Sequence, residues 1–159
     1  MMGRAGRFGI IVLWLGMIAA GGIPGAWAEE GHEDPTTEWM PKDVDFTQAE
    51  PLNIRFDDYS YEPSDVALKK DRPYVITFDN VGGLSHDFVN MPFFHAVVFD
   101  KVVTASGRVN TPHIHSLYLQ SGRKMTLYLV PKKTGRYEVF CSIPGHRKEG
   151  MEGVFSIVD

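Results

Sequence analysis

The chain has 159 residues, a formal net charge of −4, a hydrophobic fraction of 43% and one cysteine. A single cysteine excludes an internal disulfide framework, and a net-acidic chain excludes a nucleic-acid binder that works through phosphate contacts. The length bounds the chain to about one globular domain with a core of its own.

Residues 1–28 have the layout of a secretory signal: Arg4 and Arg7 precede an apolar run from Phe8 to Ala20, and Ala26-Trp27-Ala28 supplies a small-residue cleavage site. The apolar run is short for a membrane span of about 20 residues. Cleavage after Ala28 leaves 131 residues and places the domain outside the cytoplasm, in the periplasm of a Gram-negative cell; an uncleaved amino-terminal anchor is the competing reading. Residues 29–50 then hold eight acidic residues against one lysine, whereas residues 51–159 hold thirteen Lys/Arg against twelve Asp/Glu. With Gly31, Pro35 and Pro41 and few apolar residues, 29–50 reads as an acidic extended arm or linker, and His32 within it as a solvated side chain.

From Pro51 onward the apolar residues come in short alternating runs: Leu52–Phe56, Val66–Leu68, Tyr74–Phe78, Ala96–Phe99, Leu117–Leu119, Met125–Val130, Tyr137–Phe140 and Val154–Val158. Turn signals separate them at Lys70–Pro73, Gly82-Gly83, Ser106-Gly107, Ser121-Gly122 and Lys132–Gly135. This pattern predicts an all-β domain over 51–159, a two-sheet sandwich of seven to eight strands. Residues 91–116 fit the pattern least and are expected to hold a short helix or a long irregular loop.

The chemistry is concentrated in one run, Cys141-Ser-Ile-Pro-Gly-His146-Arg-Lys-Glu-Gly-Met151. Thiolate and thioether are soft donors that suit Cu(I), and imidazole suits both oxidation states. Two His, one Cys and a weak axial Met form the donor set of a blue-copper electron-transfer centre. The run lacks one His, which has to come from another strand. His86, in Gly82-Gly-Leu-Ser-His86-Asp-Phe-Val-Asn90 after the run Tyr74–Asp79, is the candidate. Pro144 stiffens the turn before His146 and Gly145 allows the backbone angle that aims it inward.

Through the strand-His-Asp-Phe segment and the stretches Gly135–Cys141 and Met151–Val158, residues 51–159 resemble the cupredoxins, the single-domain copper proteins that include plastocyanin, azurin and rusticyanin. The four-residue gaps on both sides of His146 are most similar to rusticyanin. The resemblance implies a Greek-key sandwich binding one type 1 copper ion through His86, Cys141, His146 and Met151, with His86 buried and the ring edge of His146 at the surface. It implies a monomeric, non-enzymatic shuttle of single electrons between redox partners such as a c-type cytochrome, an oxidase or a reductase.

Around the expected exit, Met91, Pro92, Phe93, Phe94, Ile143 and Pro144 are candidates for an apolar docking patch, with core packing the alternative for Phe93 and Phe94. Arg147 and Lys148 would steer an acidic partner. Asp87 stands where plastocyanin and azurin have Asn; its carboxylate is expected to accept hydrogen bonds from Ser142 and to favour Cu(II). His113 and His115 are expected to be surface or interface histidines, against a second metal site that His95 joins only if residues 91–116 fold back. The rival function is a copper chaperone or resistance protein carrying copper as cargo, which the scattered Met40, Met91, Met125 and Met151 disfavour. A copper enzyme such as a nitrite reductase would need a second domain or a further His cluster.

Overall fold

The computed structural model describes residues 44–109 and 114–159. The predicted signal at 1–28, most of the acidic arm with His32, and His113 lie outside the described residues. Among those described, no helix is long and apolar enough to cross a membrane.

The alternating runs become strands of two facing sheets. In chain order these are β1 (Glu50–Asp57), β2 (Ser60–Glu62), β3 (Asp65–Lys69), β4 (Tyr74–Asn80), β5 (His86–Val89), β6 (Val97–Thr104), β7 (Gly107–Val109), β8 (Ser116–Leu119), β9 (Lys124–Pro131), β10 (Gly135–Phe140) and β11 (Glu152–Val158), with one helical turn, α1 (Met91–Phe94), between β5 and β6. One sheet has the order β2-β1-β4-β9-β6-β7 and the other β3-β11-β10-β5-β8. Two pairings are parallel, β1 with β4 (Ile54 opposite Phe78) and β3 with β11 (Val66 opposite Phe155); the remaining pairs are antiparallel. The predicted two-sheet sandwich is therefore found. All eight apolar runs are strands, and the count reaches eleven because β2, β5 and β7 are short, with three or four residues each.

Period-two alternation fixes which side chains meet between the sheets. In β4, Tyr74, Ile76, Phe78 and Asn80 are buried while the residues between them are partly exposed. From β5, His86 and Phe88 turn inward together. The Phe88 ring lies at the centre of the core, with its centroid 5.1 Å from Phe155, 5.2 Å from Phe78 and 5.6 Å from Tyr61, mostly edge-to-face. Such pairs add about 0.5–1.5 kcal/mol each to the burial of the rings themselves.

Residues 91–109 are ordered into α1, β6 and β7. Asn90 starts α1 by accepting the Phe93 amide on Oδ1 at 2.6 Å, and Pro92 sits in the first turn, where its missing N–H costs nothing. At the amino-terminal end of the described chain, Phe46 packs edge-on against Tyr128 at 5.5 Å, and the Lys101 ammonium lies 4.0 Å from the Tyr128 ring centre.

Candidate metal centre

Three strand ends converge at one end of the sandwich. His86 begins β5, Cys141 follows directly on β10, and His146 lies in the turn between β10 and β11. The ligating atoms of His86, Cys141 and His146 all lie within 4.8 Å of one another, and all three residues are buried. The two Nδ1 atoms are 3.2 Å apart, and Cys141 Sγ is 3.5 Å from His146 Nδ1. Met151 is fully buried beside them. Three of the four predicted donors are thus gathered from two regions separated by more than fifty residues of sequence, and the fourth, Met151, is buried and joined to Cys141 and His146 through backbone hydrogen bonds.

Backbone hydrogen bonds hold the Cys–His–Met turn in shape. The Cys141 amide donates to the Met151 carbonyl at 3.0 Å, the Met151 amide to the His146 carbonyl at 3.0 Å, and the His146 amide to the Ile143 carbonyl at 3.1 Å. Gly145 has φ of +95°, a conformation that L side chains rarely adopt, so its lack of a Cβ is what lets the turn bring His146 back inward.

β5 and β10 are in register at Phe140 and Val89. At the site the ladder gives way to a side chain: Asp87 Oδ1 accepts the Ser142 amide at 2.6 Å and Oδ2 the Ser142 hydroxyl at 2.5 Å. Asp87 therefore ties the His86 strand to the Cys141 loop as anticipated. Its backbone carbonyl is held in turn by the Tyr61 hydroxyl at 2.6 Å.

The outer shell includes residues that sequence reading missed. Asp58, in the turn between β1 and β2, places Oδ1 at 3.4 Å from His86 Nε2 and accepts the Leu84 amide at 3.1 Å on the same oxygen. A carboxylate at Nε2 favours the tautomer with its proton on Nε2, leaving the Nδ1 lone pair toward the cluster. Tyr59 packs edge-on over His146 with centroids 5.1 Å apart. The dipeptide Asp57-Asp58 reads locally as a polar turn; only the pairing of β1 with β4 returns it to His86.

Burial and charge set the protonation of the metal-free cluster. Desolvation lowers the His86 pKa, opposed by its hydrogen bond to Asp58, so the ring is held neutral. The Cys141 thiol is pushed up mainly by burial, with the Asp87 charge adding to the rise. A metal ion binding here must displace the Cys141 thiol proton but meets a His86 imidazole that burial already keeps neutral.

His86 is fully buried, whereas His146 keeps 8% of its surface. The apolar groups exposed at this end are Tyr59, Val81 and Leu84, with Pro144 beside His146. The predicted patch is corrected in part. Phe93 and Phe94 are buried in the core, and Met91 and Pro92 lie past the far end of β5, a strand that spans about 10 Å from His86 to Val89 at about 3.3 Å per residue. The strand runs away from the site, carrying α1 with it. Arg147 is engaged locally: its Nε lies 2.9 Å from Glu152 and its guanidinium 4.4 Å from the Phe140 ring centre. His115 is exposed and meets His95, at the same end as α1.

The donor chemistry fits one copper ion: two imidazoles, one thiol and a buried thioether, with the outer nitrogen of His86 oriented by a carboxylate. Solved structures share the fold. A multi-copper oxidase from Pseudomonas Thermotolerans aligns with TM-score 0.58 at 17% identity, over 74% of this chain and 31% of its own. A copper nitrite reductase from Nitrosomonas europaea aligns with TM-score 0.54 at 14% identity, over 77% and 52%. A sodium-dithionite-reduced auracyanin from the photosynthetic bacterium Roseiflexus castenholzii aligns with TM-score 0.49 at 16% identity, over 70% of this chain and 98% of its own. No curated protein matches the sequence. Residues 48–158 match the copper-binding proteins of the plastocyanin/azurin family, and the chain belongs to that family.

Proposed function

We propose that this protein is an extracytoplasmic one-electron carrier, with His86, Cys141, His146 and Met151 as the ligands of a resident type 1 copper ion. The observation that carries the reading is the convergence of three buried donors of the right kind within 4.8 Å of one another. When bound, copper supplies one-electron cycling between Cu(I) and Cu(II). The polypeptide holds the donors still: backbone bonds fix the Cys141–Met151 turn, and the Asp87–Ser142 pair fixes that turn to β5. Small displacement of the donors on a change of metal charge is what an electron carrier needs.

His146 is the donor residue with surface left to solvent, so a redox partner approaches there, over Tyr59, Leu84 and Pro144. Small transient interfaces of this kind suit partners such as a c-type cytochrome, an oxidase or a reductase. The buried, backbone-braced cluster suits a resident ion better than cargo. Among the described residues it is the one cluster of three or more His, Cys, Asp or Glu suited to a metal. The extracytoplasmic placement rests on the signal-like residues 1–28.

The test is the visible spectrum and midpoint potential of the copper-loaded protein. Strong thiolate-to-copper colour, abolished in Cys141→Ser, is the expected result. A colourless Cu(II) protein, or equal colour in the variant, overturns the ligand assignment.

A further inference from the structure

Two exposed histidines from distant parts of the chain meet at the end of β5 opposite the copper cluster. His95 closes α1, its amide donating to the Met91 carbonyl at 3.0 Å. His115 immediately precedes β8, whose Ser116 is opposite Val89 of β5, so the chain at His115 runs beside Asn90 where α1 begins. The two ring centroids are 5.9 Å apart and the planes are inclined by 77°. Both side chains are exposed, and among the described residues no side chain hydrogen-bonds to either ring.

That separation is one that a shared ion would permit. A metal–imidazole nitrogen bond of about 2.0–2.1 Å puts each ring centre about 3.2 Å from the ion, so ligand angles from about 110° to linear place the centroids about 5.2–6.4 Å apart. Met91 is spaced to supply a third donor. It stands four residues before His95 in the one-turn helix, hence on the same side of it, and is 51% exposed, while Phe93 and Phe94 between them are buried. Two imidazoles with a thioether select Cu(I) over hard cations.

We propose that Met91, His95 and His115 form a second, solvent-facing Cu(I) site, separate from the buried cluster and at the end of β5 opposite His86. It contains no thiolate, so it contributes no blue colour, and its exposure makes it exchangeable. The protein would then present a loosely held copper ion on one end while keeping a resident one at the other. This proposal stands independently of the electron-transfer reading, because its donors are separate from those of the buried centre.

The test uses the full-length protein with its buried centre already filled and kept reduced by ascorbate. Cu(I) is supplied from a chromogenic Cu(I) chelator, and the copper withdrawn by the protein is measured. One further equivalent is expected for the native protein and none for the double variant His95→Ala, His115→Ala, with the visible band on reoxidation and the midpoint potential unchanged. Met91→Leu should weaken Cu(I) retention at least about tenfold and change Zn(II) retention less than about twofold, because zinc makes little use of thioether. No second equivalent in the native protein, or one that survives the double variant, overturns the site. If the double variant loses the visible band and so its fold, the single changes His95→Gln and His115→Gln are read by the same criteria.

Discussion

Asp58→Asn isolates the effect of a single charge on the copper centre. The carboxylate lies 3.4 Å from His86 Nε2, one imidazole ring away from the Nδ1 that faces the cluster, so it is about 7 Å from charge bound there. A unit charge at that distance contributes about 0.6 kcal/mol at bulk-water screening and about 2.4 kcal/mol at an effective dielectric of 20. For one electron these correspond to about 25 and 100 mV. The Asp58 side chain is 43% exposed, which places the effect in the lower half, about 25–60 mV. Removing the negative charge disfavours Cu(II), so the potential rises. Asparagine keeps an oxygen to accept the Leu84 amide, so the loop should hold and the visible spectrum should scarcely change. The assay is a redox titration of both proteins at low and high salt, with the difference shrinking as salt screens the exposed carboxylate. A zero or downward shift, or an upward shift accompanied by a rearranged spectrum, would refute the electrostatic argument.

Further expectations concern the second carboxylate, the core and pH. Asp87→Asn should also raise the potential, while retaining one oxygen for the Ser142 amide; redox titration checks the sign, and loss of copper would show that both carboxylate bonds are needed to close the site. Phe88→Ala empties the centre of the aromatic core and should cost about 3–5 kcal/mol in urea unfolding of the metal-free protein; a cost below about 1 kcal/mol would mean that the core collapses into the space. The metal-free protein should lose stability as the pH falls through about 6.5, because the unfolded chain then takes up a proton at His86 that burial denies the folded one. His86→Gln should flatten that part of the profile, and a native profile that is flat or rises toward acid would contradict it.

The sandwich was legible because each apolar run is long enough to show its alternation, from Leu52 to Val158. The short strands β2 and β7 carry too few residues for a period-two pattern, and β5 is disguised because its first inward residue is His86. Cys141, His146 and Met151 could be read from their sequence alone, since three copper-type donors fall in one run. His86 could be singled out because it follows the strand-like run Tyr74–Asp79, and the family resemblance added that it is the buried ligand. The contact of Asp58 with His86, twenty-eight residues away, depends on sheet pairing and left no local signal. Phe93 and Phe94 looked as suited to a surface patch as to the core; the direction of β5 decided it, carrying them away from His146. The approach of His115 to His95 likewise depends on β8 lying beside β5, which no spacing rule encodes.

β5 places His86 and Phe88 on the same inward face, so one four-residue strand links the metal cluster rigidly to the centre of the core. The colour of a copper-loaded sample then becomes a gauge of the whole domain. On heating, absorbance from the centre and near-ultraviolet circular dichroism from the aromatic rings should fade in a single transition, and a purification fraction that stays blue should be one whose interior is intact.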